Sequence, residues 1–284
     1  MIASTFSIVG HDPQAGEWGI AISSKFLAVG AGIIWAKAGA GAIATQAMAN
    51  LDFGEIGLQL LQKGYGAETV AQSLLALDPD REERQFGIVD AQGKSYSFTG
   101  KNCFDYAGGI TGPNFACQGN ILVSRATVEN MAEAFQKGQG PLADRLMAAL
   151  NAAQDAGGDK RGRQAAALLV VREGGSYGGY NDRAIDLRVD DHPQPVAELT
   201  RIYNLHKFYF TKPSPEDCLP LTEDRVKAIQ EALTRRGFYQ GELNGVWPGP
   251  TREALYDYCG WENYEERWME DAIDAGVLNI LLSE

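Results

Sequence analysis

The chain has 284 residues, a hydrophobic fraction of 45% and a formal net charge of −12, with a sequence pI near 4.8. This length and composition predict one large domain, with or without a small second one, and the acidic charge excludes nucleic acid and an anionic membrane surface as partners. No apolar run is long enough to span a membrane, and residues 1–4 carry no basic segment of an export signal, so we expect a cytoplasmic protein. Four scattered cysteines and three histidines predict reduced thiols, no metal site and no cofactor.

The first 25 residues predict a β-hairpin that gathers hydroxyl groups. Residues 5–10 and 19–23 alternate in the manner of strands, and a segment rich in turn-forming residues lies between them. A hairpin that closes in the middle of this segment places Thr5 opposite Ser24. The Thr5 hydroxyl is therefore expected to face the cluster Ser23, Ser24 and Lys25.

Beyond the hairpin, short strands alternate with pairs of helices. Alternating or continuous apolar residues predict strands at residues 30–36, 41–46, 85–90, 95–99 and 165–171, the last of them buried on both faces. Apolar residues at helical spacing predict four helices. The first follows a capping box at Asp52, the second begins near Ala67, the third follows an N-cap at Ser124, and the fourth covers residues 142–150. This order predicts layered sheets between helix pairs.

Residues 39–44 match a loose form of the dinucleotide-binding fingerprint, G-x-G-x-x-A. That fingerprint requires a helix that opens at its third position, and residues 50–54 interrupt any such helix early. Small residues in a tightly packed strand explain the pattern equally well. We therefore interpret the segment as a strand.

The last quarter of the chain is a separate, acidic region. Residues 196–210 are expected to form a helix or an extended arm that ends the first domain, residues 1–210. Three prolines predict a linker over residues 211–221, and helical spacing from Thr222 predicts a second domain over residues 222–284. Between Pro220 and the C-terminus there are 6 Lys/Arg and 13 Asp/Glu, a net charge of −7 that indicates a solvated acidic face.

Five segments of the first domain resemble a bacterial family, the domain-of-unknown-function family numbered ten-twenty-eight, which is described as similar to N-terminal-nucleophile hydrolases. These segments are Thr5-Phe6-Ser7-Ile8-Val9, residues 24–30, Ala44-Thr45-Gln46, Gln118-Gly119-Asn120 and residues 158–164. The resemblance covers nearly all of residues 1–192. It implies an α+β fold, a four-layer αββα sandwich, and it places Thr5 at the nucleophile position that begins the first strand.

The resemblance implies hydrolysis of a C–N amide bond in a small molecule that the sequence does not identify. Such hydrolases use the free α-amino group of the nucleophile as the base, but four residues precede Thr5. Thr5 therefore needs Lys25 or Lys37 as its base, or cleavage of the Ser4–Thr5 bond. Ser23 is a further catalytic candidate, and the candidates for the oxyanion and substrate region are Thr45, Gln46, Gly119, Asn120, Asp159 and Arg161.

Each candidate also has a purely structural interpretation. Thr5 is then an ordinary strand residue, Lys25 is a surface lysine, and Ser23 satisfies backbone groups. An ion pair between Asp159 and Arg161 that locks its loop is favoured over a catalytic role for these two residues. The alternative function for the chain is a non-catalytic relative of these hydrolases, a binding or assembly protein in which residues 1–4 block the pocket.

Residues 222–258 resemble a peptidoglycan-binding-like domain. The resemblance rests on V-x-x-I-Q-x-x-L from Val226, on G-F-Y-x-G from Gly237, and on the short motifs that follow at residues 244–245 and 251–255. Because the chain shows no export signal, we expect this domain to have a structural or dimerising role in a homo-oligomer. We do not expect peptidoglycan to be a partner.

Overall fold

The structure is a computed structural model that describes residues 5–283. Three predictions fall on residues 1–4 and lie outside the described residues: the missing export signal, the Ser4 side of the proposed cleavage site, and the blocking of the pocket by residues 1–4. The described chain forms two compact units, one that ends at Arg201 and one that begins at Ile202.

The first unit contains two antiparallel sheets. Its strands are β1 (Thr5–Asp12), β2 (Glu17–Ser24), β3 (Ile34–Lys37), β4 (Gly41–Ala47), β5 (Arg84–Asp90), β6 (Ser95–Thr99), β7 (Gly108–Gly112), β8 (Phe115–Gly119), β9 (Ala165–Arg172) and β10 (Arg183–Val189). One sheet has the order β10-β9-β2-β1-β8-β7, and the other has the order β3-β4-β5-β6. The helices of this unit are α1 (Asp52–Gln62), α2 (Ala67–Leu77), α3 (Ala126–Lys137) and α4 (Leu142–Asp155), and α5 (Pro195–Phe210) begins in it.

The hairpin register is the one that the sequence predicts. Thr5 pairs with Ser24 at one end of the β1–β2 ladder, and Asp12 pairs with Glu17 at the other end. Side chains of directly opposite residues lie on the same face of a sheet. The prediction that Thr5 lies opposite Ser24 is therefore confirmed.

The two sheets pack against each other through small and branched residues. Val9 and Ile20 of the six-stranded sheet share one buried cluster with Ala42, Ala44 and Val89 of the four-stranded sheet. Alanine at two of these positions allows a close approach of the sheets. Residues 41–44 of the fingerprint-like segment lie in a fully buried strand, β4, residues 39–40 lie in the turn before it, and no helix opens there. The strand interpretation of this segment is confirmed.

Each sheet also packs against helices. Val70 and Leu74 of α2 are buried in one cluster with Ile43 and Phe86 of the four-stranded sheet. On the six-stranded sheet, Gly19 lies under α4: a Cβ atom at this position would lie 2.6 Å from the side chain of Leu146. The architecture is a mixed α+β fold with antiparallel sheets, and the four-layer sandwich that the resemblance implies remains a prediction.

Three local predictions need correction. The strand predicted over residues 30–36 is shorter, β3, because residues 29–31 form a 3-10 turn. Asp52 is not a capping residue but lies in the first turn of α1, where its N–H donates to the Asn50 side chain at 3.1 Å. Ser124 precedes the N-cap position of α3, which is Arg125, and it accepts the Thr127 N–H with its backbone carbonyl instead of its side chain.

The second unit is a small helical domain with one short sheet. It contains β11 (Cys218–Pro220), α6 (Glu223–Arg235), α7 (Pro250–Trp261), β12 (Ala272–Asp274) and α8 (Ala275–Ser283). β11 pairs with β12, so part of the predicted linker 211–221 belongs to the domain itself. Phe208 and Tyr209, from the end of α5, pack against its core. No helix within residues 5–283 combines the length and the apolar character needed to cross a membrane.

Candidate functional site

Thr5 begins β1, and its hydroxyl group is held inside the protein. The side chain has no exposed surface. Its Oγ1 donates a hydrogen bond to Ser24 Oγ at 3.2 Å, a contact that follows from the position of the two residues directly opposite each other in the hairpin. The first strand therefore presents a hydroxyl pair between the two sheets.

The backbone of Thr5 is fixed by donors from two directions. The Thr5 carbonyl accepts a hydrogen bond from Gln46 Nε2 at 3.2 Å and another from the backbone N–H of Asn120 at 3.1 Å. Gln46 lies on β4 of the opposite sheet, and Asn120 follows β8 of the same sheet. Gln46 and Asn120 were predicted to line the oxyanion region, and in this structure both donors bind the Thr5 carbonyl.

A buried glutamine, Gln85, orients the two residues that hold Thr5. Its Oε1 accepts from Gln46 Nε2 and from Asn120 Nδ2, both at 2.8 Å. Its own Nε2 donates to the carbonyl of Gly119 at 2.8 Å. These hydrogen bonds hold the three side-chain amides in fixed orientations, because rotating one amide would break the bonds that it shares with the others. Gly119, another predicted site residue, thus contributes a backbone acceptor to this network.

The network continues along the face of β1 that carries Thr5. Ser7 Oγ donates to Gln46 Oε1 and accepts from Gln118 Nε2, both at 2.7 Å. Gly87 provides the space for the Gln118 side chain, because a Cβ atom there would lie 2.0 Å from Gln118 Oε1. Three glutamines, one asparagine and two serines therefore surround the start of β1 with uncharged polar groups.

Ser23 and Thr45 face away from Thr5. The Ser23 hydroxyl donates to the carbonyl of Ala165 at 3.2 Å, on the face of β2 opposite to Ser24. Thr45 alternates with Gln46 along β4, and its backbone N–H donates to the carbonyl of Ile33 at 3.0 Å. The structure does not bring these two predicted site residues to the Thr5 hydroxyl.

Of the two predicted base lysines, Lys37 lies far from Thr5. Lys37 pairs with Gly41, and Gln46 lies five residues further along β4, a distance of about 16 Å along the strand. The Lys37 ammonium instead forms a salt bridge with Asp182 at 3.0 Å. Burial opposes ionisation of Asp182, but the Ala38 N–H and this ammonium outweigh it and lower the pKa of Asp182. Lys25 directly follows Ser24 and is exposed, whereas Thr5 is fully buried.

Asp159 and Arg161 hold the chain just after Ser24. Asp159 is 5% exposed, and its Oδ2 accepts the backbone N–H of Lys25 at 3.0 Å. Arg161 forms a salt bridge with the same carboxylate at 3.0 Å and donates to the Lys25 carbonyl at 3.2 Å. This geometry supports the structural interpretation of the pair, a clamp that positions the end of β2.

The thiols of three cysteines are poor candidates for an alternative nucleophile. Burial raises the pKa of Cys103 to about 11 and that of Cys259 to about 12, and it raises the pKa of the fully buried Cys117 well above its usual range. A thiol is nucleophilic as the thiolate, which these pKa values disfavour near neutral pH. Within residues 5–283, no group of three or more histidine, cysteine, aspartate or glutamate side chains is placed to hold a metal ion.

The comparisons with known proteins agree with the division of the chain into two units near residue 201. Residues 5–199 match the family model described as "Family of unknown function (DUF1028)", and residues 209–281 match the model described as "Putative peptidoglycan binding domain". The crystal structure of protein SPO2555 from Silicibacter pomeroyi, itself assigned to DUF1028, is 32% identical in sequence, with a TM-score of 0.66 over 72% of this chain and 86% of that one. No curated protein matches the chain. The family match covers more than half of the chain and includes Thr5 and the residues that hold it, and the chain belongs to the family of unknown function DUF1028.

Proposed function

We propose that the protein hydrolyses a C–N amide bond in a small molecule and that Thr5 is the nucleophile. One observation carries the proposal: the hydroxyl of the first residue of β1 is bonded to Ser24 while its backbone carbonyl is held by two donors. A nucleophile must be kept in one orientation to attack efficiently, and this arrangement restrains both ends of the residue. The N-terminal-nucleophile resemblance supports the same assignment.

The base in this proposal is the α-amino group of Thr5, released by cleavage of the Ser4–Thr5 bond. A threonine hydroxyl is a weak nucleophile near neutral pH and needs a base within hydrogen-bond reach. Lys37 is engaged with Asp182 at the far end of β4, and Lys25 is exposed. These placements favour the α-amino group over the two lysines.

The reaction then follows two steps. The α-amino group takes the Thr5 hydroxyl proton as Oγ1 attacks the amide carbon, and the C–N bond breaks as the proton passes to the leaving nitrogen. An ester between Thr5 and the acyl group remains. Water, deprotonated by the same amino group, attacks this ester, and the carboxylic acid leaves as the Thr5 hydroxyl is restored.

A screen with two readouts tests the proposal. The purified full chain is incubated with a panel of small amides, release of ammonia or amine is measured, and intact mass shows whether residues 1–4 are removed. We expect release from at least one amide, in proportion to the fraction of chain that begins at Thr5. Release that is independent of this fraction would refute the role of the α-amino group.

The complete burial of Thr5 favours a second candidate function. A hydroxyl that no substrate reaches fits a non-catalytic relative of these hydrolases that acts in binding or assembly. The same measurements separate the two functions. A chain that begins at Thr5 and still releases no amine from any amide of the panel supports the second function.

We further propose that the C-terminal domain assembles the protein into a homo-oligomer and does not bind cell wall. The net charge of −7 after Pro220 would repel the anionic polymers of a wall. Light scattering of the full chain checks the oligomer, and a pull-down of residues 220–284 on purified peptidoglycan checks the wall. A monomeric mass would refute the first part, and retention that survives moderate salt would refute the second.

A further inference from the structure

The second unit contains a pocket of about 380 Å³ that the proposed hydrolase function does not use. It is lined by Arg252, Glu253, Tyr256, Asp257, Trp268 and Glu270, and we refer to these six residues as the aromatic pocket. Four of the six lie on α7 at spacings that put them on one helix face, because residues three and four apart are neighbours on a helix. The other two lie in the segment that precedes β12.

Two aromatic rings form the apolar part of the pocket. Tyr256 and Trp268 pack edge to face, with centroids 5.4 Å apart and an interplanar angle of 80°. Trp247 packs beside Trp268 and donates its indole N–H to the carbonyl of Glu270 at 2.8 Å, so the segment that carries Trp268 is held in place. Tyr256 is nevertheless 59% exposed. Aromatic surface is therefore available to a ligand in a supported position.

The charged residues give the pocket an unbalanced negative charge. Arg252 forms a salt bridge with Glu270 at 2.8 Å, which neutralises that pair. Glu253 and Asp257 remain, one helical turn apart, and no salt bridge reaches either carboxylate within the part of the chain that the structure describes. Like charges at this spacing destabilise a helix, and a bound cation would remove that repulsion.

We propose that the aromatic pocket binds an alkylammonium group, the chemistry that a free aliphatic amine and a lysine side chain share. The alkyl stem packs on Tyr256 and Trp268, whose ring faces also attract a cation. The ammonium group donates charge-assisted hydrogen bonds to Glu253 and Asp257. The acidic surroundings of the domain add a general attraction for cations. A neutral ligand of the same shape lacks the attraction to the ring faces, the charge-assisted hydrogen bonds and the attraction to the acidic surroundings, so it should bind more weakly.

Titration of the full chain, followed through its indole N–H resonances by NMR, tests this proposal. The probes are butylammonium, Nα-acetyl-lysine-N-methylamide and the Nε-acetylated form of the latter, which is neutral. We expect the two cations to shift the Trp268 resonance, which Trp268→Phe identifies by its loss, and the neutral form to bind at least tenfold more weakly. Tighter binding of the lysine derivative than of butylammonium indicates a peptide as the source of the amine, and equal binding indicates a free amine.

A pair of matched variants separates the pocket carboxylates from the overall charge of the domain. The double variant Glu253→Gln/Asp257→Asn should lose at least tenfold in affinity for both cations. Asp224→Asn/Glu231→Gln removes the same charge from α6 outside the pocket and should change the affinity less than twofold, and added salt should weaken binding to the native chain. Equal binding of the neutral form, or equal losses in both double variants, would overturn the proposal.

Discussion

The hydroxyl of Thr5 donates a hydrogen bond to the hydroxyl of Ser24 at 3.2 Å. The two residues are direct partners at the end of the β1–β2 ladder, so this bond is set by the register of one hairpin. The next residue, Lys25, is clamped by Asp159 through its backbone N–H. The orientation of the proposed nucleophile therefore depends on a short hairpin and on one buried carboxylate.

Substitution of Thr5 gives the most direct test of catalysis. Thr5→Ser keeps a hydroxyl group and should retain part of the amide-hydrolysis rate, whereas Thr5→Ala should lower kcat/KM at least about a hundredfold, as when a catalytic group is removed. The measurement is amine release under conditions in which the native chain is active. Thr69→Ala, on the exposed face of α2, serves as the control. Full activity in Thr5→Ala would end the nucleophile hypothesis.

Ser24 and Ser23 form a matched pair for testing the hydroxyl contact. Ser24→Ala removes the partner of Thr5, whereas Ser23→Ala removes a bond to the Ala165 carbonyl on the other face of the strand. Each variant should lose about 1 kcal/mol of unfolding free energy, the usual net worth of one hydrogen bond. Only Ser24→Ala should lower kcat of the hydrolysis. Equal kcat in both variants would mean that the Ser24 hydroxyl does not orient Thr5.

The sequence predicts the position of Thr5 but not its complete surroundings. Alternation along the hairpin is sufficient to place Ser24, and not Ser23, on the face of Thr5. The same alternation could have identified Ser7, which lies two residues after Thr5 on β1. Ser23 is a catalytic candidate in the sequence only because it belongs to the polar run Ser23-Ser24-Lys25, and alternation places it on the opposite face.

The glutamine network could not be predicted from the sequence, because it joins strands that are far apart in the chain. Gln85 and Gln118 contact the surroundings of Thr5 only after β5 and β8 take their places in the two sheets. β7 was not predicted, since G-G-I-T-G carries little strand signal. Without β7 and β8 in the predicted sheet, nothing in the sequence indicates that Asn120 donates to Thr5.

Asp159 should contribute strongly to the stability of the first unit. In Asp159→Asn the salt bridge with Arg161 is lost and the hydrogen bond from the Lys25 N–H is weakened. We expect the unfolding free energy to fall by about 2 kcal/mol, the usual contribution of a hydrogen bond to a charged group. Urea unfolding of the full chain measures this loss. Glu198→Gln disrupts an exposed pair with Arg201 and should leave the unfolding free energy nearly unchanged, because solvent screens such pairs. Similar losses in the two variants would contradict the clamp.

A buried ion pair between Asp78 and Arg84 predicts a specific pH dependence of stability. The guanidinium of Arg84, at 2.8 Å, lowers the pKa of Asp78 from its usual 3.8 to about 2. The pKa of Asp78 is lower in the folded chain than in the unfolded chain. Ionised Asp78 therefore stabilises the folded chain fully above about pH 4, and this stabilisation is lost as the pH falls toward 2.

This pKa shift contributes about 2 kcal/mol to the unfolding free energy at neutral pH. Asp78→Asn should therefore lower the unfolding free energy by about that amount at pH 6. Urea unfolding at pH 6 and pH 3 should show that the variant loses less stability between these pH values than the native chain does. Asp80→Asn is the control, since Asp80 is exposed and lies 3.6 Å from Arg84. A native chain and an Asp78→Asn variant with parallel pH profiles would refute the role of this pair.

The end of α5 packs against the core of the second unit. Phe208 and Tyr209 pack on its core: Arg267 lies over the Phe208 ring at 4.8 Å, and Tyr209 stacks on Tyr264 with centroids 5.8 Å apart. Arg267 also donates to the Phe208 carbonyl at 2.7 Å. The sequence places the start of this domain at residue 222, after a linker, whereas these contacts place it within α5.

We therefore expect a fragment of residues 202–284 to unfold cooperatively. A fragment of residues 211–284 should be less stable by at least about 2 kcal/mol, because it lacks two half-buried aromatic side chains. Thermal unfolding followed by circular dichroism compares the stability of the two fragments. Phe208→Ala in the longer fragment measures how much of the stability difference comes from the Phe208 ring. The fragment of residues 1–210 should also fold by itself. If residues 211–284 melt at the same temperature as residues 202–284, the end of α5 contributes nothing to the second unit, and the boundary that the sequence predicts is the correct one.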